Sequence, residues 1–138
     1  MVLSARTLNR VSGGVIDGIG RCPMVYAENT STILGSTTTS TAVWTFDAAG
    51  LDEIALQFLN NGSTTCTVKI FGSPAKDMPT TTTAALWKQI GSSITITTGA
   101  MSEPQVFDNP YMWVMVTGIP VGAETLTLDA YLNAYLHP

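Results

Sequence analysis

Charged side chains are scarce in this chain: Asp, Glu, Lys and Arg make up 12% of its 138 residues, with a net charge of −4. Binding nucleic acid needs clustered Lys and Arg to neutralise several phosphates, and so few cations in an acidic chain exclude it. Histidine is scarcer still. The only one, His137, stands where a chain end is expected to fray, so none is placed to serve as base for a Ser or Cys nucleophile. Cys22 and Cys66 lie far apart and form neither a disulfide framework nor a zinc pattern; both are expected to remain thiols. No apolar run approaches the roughly 18 residues of a membrane span, and Met1 to Arg6 lack the apolar core of a signal peptide. The expectation is a protein assembled in a reducing cytoplasm, without membrane contact.

The motifs of common chemistries are missing too. Asp47, Asp52, Glu53, Asp108 and Glu124 are scattered acids of the kind that loops expose to water, with no spacing that pairs them. Gly13 to Gly20 is rich in glycine but lacks the Lys-Ser/Thr end of a phosphate loop, and no helix signal follows it. Neither Asp47 to Glu53 nor Asp108-Asn109 matches a calcium-loop pattern. No catalytic set, metal or cofactor is therefore expected.

What the chain does have is alternation. From Thr125 to Leu136, Leu126, Leu128, Ala130, Leu132, Ala134 and Leu136 fall on one face of a strand, with Thr, Asp, Tyr and Asn on the other. Shorter β-like runs cover 24–27, 32–34, 41–46, 53–59, 64–71, 86–90, 93–98 and 111–117, separated by Gly, Pro, Asn and Ser. Runs at this spacing predict an all-β fold, an antiparallel β-sandwich of jelly-roll-like type over 23–138. Residues 1–22 show no sustained period and hold Arg6, Arg10 and Arg21, half of the basic charge; they read as an irregular N-terminal arm.

Two hairpins can be argued from parity. Ile54, Leu56 and Phe58 must share a face with Cys66, Val68 and Ile70, which a loop Asn60-Asn61-Gly62 achieves with Leu56 opposite Cys66 and Gly62 at positive φ. A Gly91-Ser92 turn places Trp87 opposite Ile96 and assigns Trp87 to the core. Trp44 also sits in an apolar alternating run and is assigned to the core. In Tyr111 to Thr117 both faces are apolar, with Tyr111, Trp113 and Met115 on one of them; a second subunit or the arm is expected to cover it. Tyr131 and Tyr135, on the polar face of the last strand, extend the expected subunit interface.

Leu86-Trp87-Lys88-Gln89-Ile90-Gly91, then Phe107-Asp108-Asn109-Pro110-Tyr111-Met112-Trp113-Val114, then the closing strand, come in an order that resembles the small β-sandwich virion proteins of tailed bacteriophages. The resemblance covers roughly the C-terminal half and is one of style. It implies a capsid decoration, or cement, protein: non-enzymatic, homo-oligomeric, on the capsid surface of a virion assembled in the host cytoplasm. The partner it implies is the major capsid protein, gripped by the arm. Arg6, Arg10 and Arg21 are then the capsid-docking residues, free to fork onto carboxylates of the shell. On that reading, loss of residues 1–22 abolishes attachment and leaves the sandwich folded. The alternative is a carbohydrate- or receptor-binding β-sandwich module of a phage tail, baseplate or lectin, which requires an exposed aromatic platform.

Overall fold

The computed structural model describes residues 2–4, 24–33, 40–79, 85–122 and 124–136. Regular structure among them is all strand: β1 (Val2–Ser4), β2 (Met24–Ile33), β3 (Thr41–Asp47), β4 (Leu51–Asn60), β5 (Cys66–Ser73), β6 (Lys88–Gln89), β7 (Ile94–Ile96), β8 (Gln105–Asp108), β9 (Trp113–Pro120) and β10 (Leu126–Leu136). Sheet I has the order β1-β3-β9-β5, with β6 and β7 both on the far side of β5; sheet II has the order β2-β10-β4-β8. From β2 to β5 and again from β7 to β10, each strand lies in the sheet opposite its predecessor. That alternation, with antiparallel pairing throughout apart from the parallel β1–β3 contact, is a jelly-roll sandwich.

The apolar half of each alternating strand builds the core. Leu126, Leu128, Ala130, Leu132 and Ala134 of β10 are buried, beside Val25, Ala27 and Ile33 of β2 and Ile54, Leu56 and Phe58 of β4. Sheet I faces them with Trp44, Phe46, Cys66, Val68, Ile70, Val114 and Val116. The Trp44 and Phe46 rings meet at 4.9 Å between centroids, tilted by 48°. Trp87 is buried at 6% exposure, as expected, but stands outside this apolar cluster.

The predicted hairpins are not formed. Leu56 and Cys66 both point into the core, yet β4 belongs to sheet II and β5 to sheet I, so residues 61–65 form an arch between sheets. Leu56 is opposite Leu132 and Gln105, and Cys66 is opposite Ile96 and Pro120. An arch and a hairpin satisfy the same inward parity, so parity alone selected the wrong connection. Positive φ occurs at Gly50, Gly91 and Gly99, not at Gly62. Gly91 marks a break between β6 and β7, which run in succession along β5 instead of pairing with each other. The run 24–27 and residues 32–33 of the run 32–34 fall within a single strand, β2, and β8 occupies a stretch left unassigned above.

Buried polar side chains hold the connections. Asn60, fully buried at the end of an otherwise apolar row, donates from Nδ2 to the Thr64 carbonyl at 2.8 Å and the Ile96 carbonyl at 3.0 Å. Its Oδ1 accepts from Gly62 N at 2.9 Å. A bulge in β3 at Val43 leaves a carbonyl free of the ladder, and Asn29 and Ser31 of β2 donate to it at 3.1 and 2.8 Å, tying one sheet to the other.

Candidate functional site

The outward faces of the two sheets differ. On sheet I, Thr45, Met115 and Phe71 form one cross-strand row, and Asp47, Trp113 and Ser73 the next. Met115 is 4% exposed within the single chain, and Thr45, Thr117 and Ser73 are buried as well. Met115 thus offers no surface to a second subunit. Trp113 is half-buried; its indole N–H and the Thr117 hydroxyl are buried without hydrogen-bond partners.

The outward face of sheet II is open. Alternation on β2 and β10 turns Met24, Tyr26, Glu28 and Thr30 outward together with Asp129, Tyr131, Asn133 and Tyr135. The register places Asn133 between Tyr26 and Ala55, and Tyr131 between Glu28 and Gln57. Tyr26, Tyr131 and Tyr135 therefore surround Asn133, Tyr26 across the pair and the others about 7 Å away along the strand. Tyr135 is 42% exposed, and Val106, beyond Ala55 on β8, is 59% exposed.

Neutral donors orient the acids of this face. Tyr26 donates its hydroxyl proton to Glu28 Oε2. That hydrogen bond, then burial and the negative charge of Glu28, raises the Tyr26 pKa above its ordinary value. Thr30 Oγ1 donates to Asp129 Oδ1 at 2.7 Å, and Asn61 Nδ2 donates to Asp129 Oδ2. No Lys or Arg of the described residues lies on sheet II; Lys69 and Lys88 belong to sheet I, and Lys76 to the segment after β5.

Of the expected interface residues, Tyr131 and Tyr135 share this face, whereas Trp113 and Met115 lie on the opposite outer face of the sandwich and Tyr111 at the entry to β9. The five do not form one patch. Arg6, Arg10 and Arg21 lie outside the described residues, as do Cys22 and His137. Cys66 is a free, buried thiol and is not bonded to Cys22. Asn133 was legible in the sequence between Tyr131 and Tyr135, whereas Tyr26 and Glu28 were not singled out. Their signal was the polar half of the β2 alternation, hidden by dividing that strand in two.

Three clefts are lined by described residues. One of about 440 Å³ lies at the sandwich edge between residues 92–97 and 100–105, lined by Ser92, Ser93, Thr95, Thr97, Ser102 and Glu103. One of about 560 Å³ is lined by Pro74, Leu86, Trp87 and Tyr111. The third, of about 380 Å³, joins 49–52 to 109–112, the two acidic loops weighed above for calcium. There Asn109 Nδ2 donates to the carbonyls of Ala48 at 2.9 Å and Leu51 at 3.0 Å, engaging oxygens that a cation would require. Among the described residues no three His, Cys, Asp or Glu side chains gather as a metal set, and no helix is long and apolar enough to cross a membrane.

The fold is an all-β sandwich whose sheet II turns three tyrosines outward. No family model matches the chain, and no curated protein matches it. Among solved structures it is similar to a protein of Bacillus endospore appendages, described as a novel family of disulfide-linked pili. The identity is 16% and the TM-score 0.46, over 91% of this chain and 99% of that one. It is also similar to PirA (14% identity, TM-score 0.47, 83% of this chain and 93% of that one). A third likeness is to the SPBc2 prophage-derived protein YomS (16% identity, TM-score 0.43, 78% and 94%).

Proposed function

We propose that the chain is a non-enzymatic virion protein that decorates an icosahedral phage shell, acting as a cement between major capsid subunits. The observation that supports this is how its polar chemistry is distributed. Asn60, Asn109 and Ser102 are engaged in holding backbone together, while sheet II turns Tyr26, Tyr131 and Tyr135 outward, Tyr135 exposed and the other two half-buried. A protein built this way works through contact area. Arg6, Arg10 and Arg21 supply the docking charges for the shell.

Because Val2–Ser4 pair with β3, deleting residues 1–22 would also remove an edge strand, so charge reversal is the cleaner test. Undecorated shells incubated with the protein should take it up to a fixed stoichiometry, read by co-sedimentation. The variant Arg6→Glu, Arg10→Glu, Arg21→Glu should melt normally and fail to attach. Absence of saturable uptake by the unaltered protein refutes the proposal.

A carbohydrate-binding role is the second reading, favoured by the three tyrosines around Asn133. Saturable binding to a neutral oligosaccharide on a glycan array, lost in Tyr131→Ala, would establish it in place of decoration.

A further inference from the structure

We propose that the outward face of sheet II seats the arginine-bearing segment, residues 5–23, of a second copy of this chain. The inference rests on reading residues 1–22 as a docking arm and gives that arm a partner besides the shell. Glu28, Thr30, Asn133 and Tyr135 are exposed on this face, whereas Thr45, Ser73, Met115 and Thr117 are buried on the outward face of sheet I. Its charges are of one sign: Glu28, Glu53, Asp108 and Asp129 point outward on sheet II, and no cation of the described residues joins them. Glu28 and Asp129 are already oriented by Tyr26, Thr30 and Asn61, so a partner need not order them. Tyr131 lies between them, with Glu28 directly across at about 5 Å and Asp129 about 7 Å along its own strand. A guanidinium can stack on that ring and fork onto a flanking carboxylate at once, which a lysine ammonium does less well.

The chain itself carries the complementary group. All its arginines lie in one segment, at 6, 10 and 21, and its lysines lie elsewhere. The segment starts after β1 at the edge of sheet I and ends at β2 at the edge of sheet II. β2 bonds through Asn29 and Ser31 to Val43 of β3, the strand next to β1. Two packed sheets are about 10 Å apart, whereas residues 5–23 span roughly 60 Å when extended. A connection of this length can reach a neighbour. An arm-to-face contact of this kind joins two different surfaces of the chain.

The test needs no shell, so it can fail independently of the decoration reading. Sedimentation velocity would be run on the full chain, on an arm variant (Arg6→Glu, Arg10→Glu, Arg21→Glu) and on a face variant (Glu28→Lys, Asp129→Lys). A milder face variant, Tyr131→Ala, keeps every charge, and circular dichroism melting confirms folding. The unaltered chain should self-associate, weakening about ten-fold or more between about 50 and about 500 mM salt as screening shortens. Either charge variant alone should be monomeric at the same concentration, and Tyr131→Ala should weaken association. An equimolar mixture of the arm and face variants should form a one-to-one complex, because one contributes an unaltered arm and the other an unaltered face. A monomeric unaltered chain, association indifferent to both sets of substitutions, or a mixture that stays monomeric would each overturn the proposal.

Discussion

The ring of Tyr111 lies directly over Gly72: a Cβ built at 72 would stand 2.3 Å from Cδ2 and 2.4 Å from Cγ of that ring. The glycine is selected here by close approach, since its φ is not in the left-handed region. Tyr111 is held in turn by Asn109, whose Oδ1 accepts from its backbone N–H at 3.1 Å.

Gly72→Ala should therefore expel the Tyr111 ring, destabilising the fold by about 1 to 3 kcal/mol. The cleft shared by Tyr111 and Trp87 should open with it. Urea unfolding gives the stability change. Tryptophan fluorescence gives the second effect, as a red shift from Trp87; an unshifted spectrum with unchanged stability would mean the ring does not pack there.

Asn60→Leu should be among the most damaging single substitutions, costing about 3 kcal/mol or more. It leaves the buried Ile96 carbonyl, the Thr64 carbonyl and the Gly62 N–H without their partner. Asn60→Asp should also destabilise, because an ionised carboxylate cannot donate to those two carbonyls. The Asp variant should recover part of its loss as pH falls and the acid protonates, which a pH series of urea midpoints would reveal.

At Gly62 even one methyl group is too much. A Cβ there would lie 2.8 Å from Thr127 N and 2.9 Å from Leu126 Cα, both backbone atoms at the start of β10. Gly62→Ala should cost about 2 kcal/mol through steric overlap, and Gly62→Val more. Gly118→Ala is the control: its nearest neighbour is the flexible end of Ile33, at 3.2 Å, and its effect should be within about 1 kcal/mol of neutral.

Burial pushes the Cys66 thiol from 9.0 up to about 11, with a backbone hydrogen bond at Ile96 acting weakly the other way. The unfolded thiol ionises at the lower value, so between the two values unfolding releases a proton. Its contribution to stability is therefore intact below about pH 9 and declines as pH rises toward about 11, by up to about 1.4 kcal/mol per pH unit. Stability profiles of the unaltered protein and Cys66→Ala should run parallel below about pH 9 and converge above it. The folded protein should resist alkylation at Cys66.

Strand identity was legible where one face is dry and the other wet. The β10 alternation sorts Leu126 to Ala134 inward and Asp129, Tyr131, Asn133 and Tyr135 outward, as observed. Partnership was not legible, because Leu56 and Cys66 reach the core equally by a hairpin or an arch. The open face was half legible: Tyr131 and Tyr135 were visible, but Tyr26 joins them only through the register of β2 on β10. Asn60 did leave a trace, a polar residue closing the inward row Ile54, Leu56, Phe58. Its bond to Ile96, distant in sequence, depends on tertiary contact.

The central strands of both sheets come late in the chain. β9 lies between β3 and β5, and β10 between β2 and β4. While the ribosome is still making residues 1–112, β3 and β5 have no common neighbour, and neither have β2 and β4. The roughly 40 residues from the end of β5 to the start of β9 take about 2 to 8 s at about 5 to 20 residues per second, an interval in which no central strand exists. During it Trp44, Phe46, Ile54, Leu56, Phe58 and Ile70 remain exposed to water or to chaperones. The sandwich thus closes only once β9 and β10 have been made, and the yield of native protein in a heavily translating cell depends on how that waiting period is protected.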